Sequence, residues 1–273
     1  MLELVRKECL RRNYSRRTIS SYCYCLDRFF RFCSKDPKQV TKKDVQDFLD
    51  SLVEKDRSAS TINLHLNALK FLFGEIYHKR LVVRIRHAKK PKKLPSVLTQ
   101  EETMRLIDAI ENPRHKLMIQ LLYSSGMRLS ELINLKVHDL EFSKEHGWVR
   151  SGKGNKDRQF IIAEKIRSFL EDYIHENNLR YFLFPGLQGH ISHRTVQVIV
   201  KKAAKKAGIT KNVHPHTLRH SFATHLIENG FYMEDVQRAL GHASIQTTNV
   251  YCHVAANHLT IRSPLDCLKP KDI

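Results

Sequence analysis

His214-Pro215-His216-Thr217-Leu218-Arg219-His220-Ser221-Phe222-Ala223-Thr224-His225 is the stretch on which the fold turns, and Leu240-Gly241-His242-Ala243-Ser244-Ile245-Gln246-Thr247-Thr248-Asn249-Val250-Tyr251 follows it. The first reads as a helix over 217–228. His216 and Arg219 are three apart, share a face, and so can reach one phosphate. His216 and His220 are four apart, a spacing that also suits a helical zinc pair. A zinc protease needs Glu directly after the first His, however, and Thr217 stands there, with the cation Arg219 between the two histidines. No metal or other cofactor is expected. In the second stretch Gly241 breaks a helix over 233–240, His242 lies at the break, and a new helix over 244–252 carries Tyr251. A lone tyrosine is ordinarily half-buried packing. With a pKa of about 10, it serves as a nucleophile only beside cations or a base.

Two further motifs lie upstream. In Ser124-Ser125-Gly126-Met127-Arg128-Leu129-Ser130-Glu131-Leu132 the glycine ends one helix and Arg128 starts a short one over 128–135. Glu131, three residues on, can hold the guanidinium. In Gly152-Lys153-Gly154-Asn155-Lys156-Asp157-Arg158 the turn residues place Lys153 at a hairpin tip, between strand-like runs at 148–150 and 159–162, with another at 139–142. Each motif alone is weak, being a surface ion pair in one case and a turn lysine in the other. Together they supply what metal-free attack on a phosphodiester needs: fixed cations for the charge that develops on phosphorus, a proton acceptor for the nucleophile and a proton donor for the leaving oxygen.

The bulk properties agree with such a substrate. The chain has 273 residues and a net charge of +19, from 47 Lys and Arg against 28 Asp and Glu, and a sequence pI near 9.8. A polyanion is the expected partner. No apolar run approaches the roughly 20 residues that cross a bilayer, and residues 1–12 lack the continuous apolar stretch of a signal peptide. The expected location is cytoplasmic and nucleoid-associated. The Cys-x-Cys pair Cys23 and Cys25 lacks zinc-site spacing, so these cysteines, with Cys9, Cys33, Cys252 and Cys267, read as free thiols in a reducing compartment.

The fold expected is mainly α with a small β-sheet. Residues 1–82 read as a helical DNA-binding domain: apolar positions recur at helical spacing from Ile19 to Cys33, after the capping box at Thr41–Asp44, and from Ser60 to Phe73, with Arg and Lys interleaved. Residues 83–95 form a linker crowded with Lys and Arg and kept extended by Pro91 and Pro95. It reads either as a solvated tether or, preferably, as a strap across a phosphate backbone. Residues 96–273 form a mixed α/β domain carrying the four motifs, opened by a capping box at Thr99–Glu102.

In this order the four motifs closely resemble the signature of the tyrosine recombinase family, the lambda-type integrases, and the likeness runs over nearly the whole chain. Size and spacing are most similar to the Xer branch or its integron and archaeal relatives, and Arg262-Ser263-Pro264-Leu265-Asp266 resembles a tail of integron-type members. The resemblance implies a helical core-binding domain and a catalytic domain closing as a clamp on double-stranded DNA. It implies a catalytic set of Arg128, Lys153, His216, Arg219, His242 and Tyr251. Tyr251 would attack phosphorus to form a 3′-phosphotyrosyl link, Arg128 and Arg219 would hold the non-bridging oxygens, and Lys153 would protonate the leaving 5′-oxygen. His216 would assist proton transfer, His242 would hydrogen-bond the phosphate, and Glu131 would support the arginine. Four copies, or two copies paired with two of a related recombinase, would exchange strands on two sites, in chromosome dimer resolution or in mobile-element integration and excision. The alternatives are an architectural DNA-binding protein on the same fold and a type IB topoisomerase-like activity.

Overall fold

The structure is a computed structural model of the chain and describes residues 1–82, 85–89, 94–150, 157–187, 189–241, 248–249 and 251. Its contacts cluster in two compact units, Met1–Lys92 and Lys93–Ile273.

The first unit is helical: α1 (Leu2–Arg11), α2 (Arg16–Cys33), α3 (Lys42–Glu54) and α4 (Ala59–Lys70), which continues as a π-helical turn at Phe71–Ile76. Local sequence sets the starts. Ser15 Oγ accepts from Thr18 N–H at 3.1 Å. At α3 the capping box forms as expected, Thr41 Oγ1 accepting from Asp44 N–H and Asp44 Oδ2 accepting from Thr41 N–H at 2.8 Å. Helix α4 is capped by Ser58 rather than beginning at Ser60. The apolar stripes meet in a core that includes Leu26, Phe29, Phe48, Leu69 and Phe73, where Phe29 stands edge-on to Phe48 and Phe73 at 5.3 and 6.2 Å between centroids. Cys9, Cys23 and Cys25 are buried free thiols and Cys33 is half-buried. Burial pushes the Cys25 thiol up to about 11, which makes it an inert packing group. Cys252 and Cys267 lie outside the described residues. Part of the expected linker is fastened to this unit. Ala88 N–H donates to Asn63 Oδ1 at 2.8 Å, Asn63 Nδ2 donates back to Ala88 O at 2.9 Å, and His87 Nε2 lies 2.8 Å from Asn67 Oδ1.

The second unit runs α5 (Gln100–Asp108), α6 (Pro113–Ser125), α7 (Leu129–Asn134), β1 (Leu140–Glu141), β2 (His146–Val149), β3 (Arg158–Ile161), α8 (Glu164–Glu176), the ribbon β4 (Pro185–Gly186) and β5 (Gly189–His190), α9 (His193–Lys206), α10 (Pro215–Glu228) and α11 (Met233–Leu240). The antiparallel sheet has the order β1-β2-β3, with Gly147 opposite Phe160, where a Cβ would lie 2.4 Å from the phenyl ring. The hairpin tip with Lys153 lies outside the described residues, as does most of the expected 244–252 helix; Thr248, Asn249 and Tyr251 are described and helical. Helix α10 begins two residues earlier than its apolar pattern predicts. Pro215 fits the first helical turn, where its missing N–H costs nothing, and His214 Nδ1 accepts from Thr217 N–H at 3.2 Å. No helix among the described residues is long and apolar enough to cross a membrane.

Helix α6 ends on Gly126, left-handed at φ +57°. A Cβ there would lie 2.3 Å from Phe222 Cδ1 on α10, so the residue serves both the turn and the close approach of two helices. Gly126→Ala is therefore expected to destabilise the chain by about 1–3 kcal/mol. The urea midpoint checks this, and an unchanged midpoint would mean that the turn tolerates a side chain.

Candidate active site

Arg219 projects from α10 into the second unit and is 3% exposed. Its Nη1 donates to the Gly126 carbonyl and its Nη2 to the Leu240 carbonyl at 2.8 Å. These carbonyls lie at the C-terminal ends of α6 and α11, where a helix leaves acceptors unsatisfied and its dipole is negative. Burial, followed by the nearby Arg128 charge, lowers the guanidinium to about 10, so it remains a cation at neutral pH.

Arg128 is half-buried at the N-cap of α7. Its Nη1 donates to Glu131 Oε1 at 2.6 Å. Glu131 Oε2 accepts from Arg128 N–H at 2.8 Å, capping the helix, and from Arg158 Nη2 at 2.8 Å. One buried carboxylate thus orients two guanidiniums. Burial raises the Glu131 pKa, but the Arg158 charge and the Arg128 and Arg158 hydrogen bonds outweigh it, and the carboxyl titrates below the usual range.

Arg158 was not singled out by sequence reasoning. It follows the Lys153 turn at the start of β3, donates from Nη1 to the Ala239 carbonyl at 2.7 Å, and packs its stem on Gly241, where a Cβ would lie 2.5 Å from Arg158 Cδ. It thereby ties the Arg128 helix to the end of α11, just ahead of His242.

Tyr251 is 4% exposed and packs with Ala223, Val236 and Leu240. Its hydroxyl oxygen lies 3.0 Å from His220 Nδ1, with ring centroids 5.6 Å apart. Burial raises the phenol pKa, while the charges of Arg219 and Arg128 pull against that rise. The phenol is therefore neutral at rest, within the field of both guanidiniums. His220 is driven down to about 4 by burial and by His216, His214 and Arg219. His216 lies at the surface with its ring centroid 6.5 Å from that of His220, and is lowered by partial burial, His214, Arg219 and Arg128. Both rings are neutral imidazoles near pH 7. His225 serves the core, its Nδ1 2.8 Å from the Tyr123 hydroxyl and its Nε2 2.9 Å from the Leu98 carbonyl.

The structure therefore brings Arg128, Glu131, His216, Arg219 and Tyr251 into one neighbourhood and adds Arg158 and His220. Lys153 and His242 lie outside the described residues. No group of three or more His, Cys, Asp or Glu suited to a metal occurs among the described residues. The site is a cluster of cations, with Arg219 buried and Arg128 and Arg158 half-buried, beside a neutral aromatic hydroxyl, and is suited to an anion that gains charge during reaction.

Because the Glu131 pKa is depressed by folding, its stabilisation is complete above the ordinary glutamate range and is lost as pH falls through the folded-state value. Glu131→Ala should lower stability at pH 7 by about 1–3 kcal/mol, since it leaves two part-buried guanidinium groups without their carboxylate. Urea unfolding should show this cost shrinking on acidification; a cost that does not depend on pH would contradict the ion-pair account.

Residues 96–258 match the Phage integrase family, and residues 1–82 match the Phage integrase, N-terminal SAM-like domain. A tyrosine recombinase of Thermosipho africanus is 37% identical over 258 residues, covering 89% of this chain and 91% of that one. Tyrosine recombinase XerA of Pyrococcus horikoshii is 37% identical over 250 residues, covering 90% and 86%. The crystal structure of XerH site-specific recombinase bound to palindromic difH substrate in a post-cleavage complex superimposes with a TM-score of 0.75 at 26% identity, covering 94% of this chain and 82% of that one. With both domain matches in place and relatives of this similarity along most of its length, the chain belongs to the phage integrase family and is a Xer-like tyrosine recombinase, an enzyme of site-specific recombination that cuts and rejoins DNA.

Proposed function

We propose that Tyr251 is the nucleophile of this reaction. The observation that carries the reading is that the buried phenol packs in one cluster with Leu240, whose carbonyl accepts from Arg219 Nη2, and the charges of Arg219 and Arg128 favour its ionised form. In the first step the phenolic oxygen of Tyr251 bonds to phosphorus and its proton is released to solvent with the assistance of His216. The bond from phosphorus to the 5′-oxygen breaks, and that oxygen takes a proton from Lys153. The product is a 3′-phosphotyrosyl link and a free 5′-hydroxyl. Rejoining reverses each transfer, with a 5′-hydroxyl attacking and the phenol leaving. One ester replaces another, so no ATP is needed.

Arg128 and Arg219 bind the non-bridging oxygens. Guanidinium suits this work because it is planar and stays charged, and Glu131 keeps the fork of Arg128 aimed. His216 assists proton transfer at the nucleophile, and His242 donates a hydrogen bond to the phosphate. Residues 1–82 bind the duplex, and the basic linker runs along its backbone. The net charge of +19 supports this partner, as does the cleaved-DNA complex of the XerH relative. Four protomers acting on two sites complete the exchange. Whether the outcome is resolution of joined chromosomes or integration and excision of a mobile segment depends on where the two sites lie.

Nicked genomic fragments are the test. Incubation should trap a covalent protein–DNA adduct, and sequencing the attached ends should return one recurrent phosphate. Tyr251→Phe should abolish the adduct while retaining salt-sensitive DNA binding. An undiminished adduct with this variant would refute Tyr251 as the nucleophile.

A further inference from the structure

The hydrogen bond between His220 and Tyr251 is not used by the chemistry above. His220 follows Arg219 directly on α10, so the phosphate-binding arginine and the residue touching the phenol are neighbours on one rigid element. Its Nδ1 lies 3.0 Å from the phenolic oxygen. A phenol has a single proton and two lone pairs, and attack on phosphorus requires a lone pair aimed at the phosphate. The guanidinium groups of Arg219 and Arg128 can donate to that oxygen but cannot accept from it. A neutral imidazole with its proton on Nε2 presents Nδ1 as an acceptor.

We propose that His220 positions the nucleophile: its Nδ1 accepts the Tyr251 hydroxyl proton in a hydrogen bond, which turns the oxygen's lone pairs toward the phosphate held by the arginines. The inference rests on Tyr251 being the nucleophile. Burial, and after it the charges of His216, His214 and Arg219, disfavours its imidazolium form, in which both ring nitrogens would be donors and the acceptor would be lost. So weak a base does not remove the phenolic proton outright. Its contribution is orientation, the kind of effect in which a misplacement of about 1 Å costs about 10²-fold in rate. His220 differs in this from His216, which is exposed. It differs also from a structural histidine such as His225, whose two nitrogens meet Tyr123 and the Leu98 carbonyl within the core.

The test is single-turnover formation of the covalent adduct at saturating full-length protein, on a nicked duplex carrying the phosphate located by adduct sequencing. The same duplex is also made with sulfur in place of the bridging 5′-oxygen. A leaving thiolate needs no proton, so a defect on the leaving-group side disappears on the sulfur substrate, while a defect on the nucleophile side persists. His220→Leu should slow adduct formation about 10²-fold on both duplexes with DNA affinity retained. His220→Asn, which returns an acceptor near the Nδ1 position, should recover most of the rate. The proposal is overturned if His220→Leu reacts at the wild-type rate, if sulfur relieves its defect, or if DNA binding is lost and the Asn variant recovers nothing. Tyr251→Phe serves as the control. If that variant still forms the adduct, the reading of Tyr251 fails; if it is silent while His220→Leu runs at full rate, the role of His220 alone fails.

Discussion

The cation of Arg219 is buried between two helix ends, and the rest of the site is arranged around it. An isolated charge inside a protein is costly unless its donors find acceptors. Here the acceptors are the carbonyls of Gly126 and Leu240, groups that the ends of α6 and α11 would otherwise leave unsatisfied. The contact fixes two chain exits together. From the first emerges Arg128; from the second emerges the segment that leads to His242 and Tyr251. Arg158 adds a further tie by binding the Ala239 carbonyl in the same last turn. Two arginines from different elements therefore close the end of one helix, the helix after which the chain leads on to the proposed nucleophile.

The same arrangement prepares the site for an anion. Burial, and after it the Arg128 charge, lowers the Arg219 pKa, so the resting site holds cations that repel one another. A phosphodiester relieves that repulsion, and the further charge it acquires during attack relieves it more. Donors held in place before the substrate arrives need no reorganisation at the moment of reaction. Glu131 holds the guanidiniums of Arg128 and Arg158 in place, and its charge offsets part of the repulsion on Arg219.

Local signals in the sequence were readable because their physics is local. The boxes at Thr41–Asp44 and Thr99–Glu102 form as their spacing predicts, and Glu131 meets Arg128 three residues away. Errors appeared where competing caps lie close together, as with Ser58 against Ser60, or where a proline opens a helix ahead of its apolar pattern, as at Pro215. The long-range polar contacts were not legible. Arg158 looks like one more cation in a basic turn, and its partners are the Glu131 carboxylate 27 residues back and a backbone carbonyl 81 residues ahead, which no side-chain pattern announces. In the sequence His220 stands as one of a histidine pair at zinc-like spacing, whereas its contact is the Tyr251 hydroxyl, 31 residues along the chain. The order of the four motifs carries the family, and the packing of α10 against the ends of α6 and α11 adds the reason Arg128, Arg219 and Tyr251 converge.

The most direct measurement of the central claim is peptide mapping by mass spectrometry of the trapped protein–DNA adduct after nuclease and protease digestion. The account predicts a nucleotide attached through a 3′-phosphate to the peptide that contains Tyr251, with the mass increment on that residue. A nucleotide on any other side chain, or DNA cleaved with no protein attached, would contradict it.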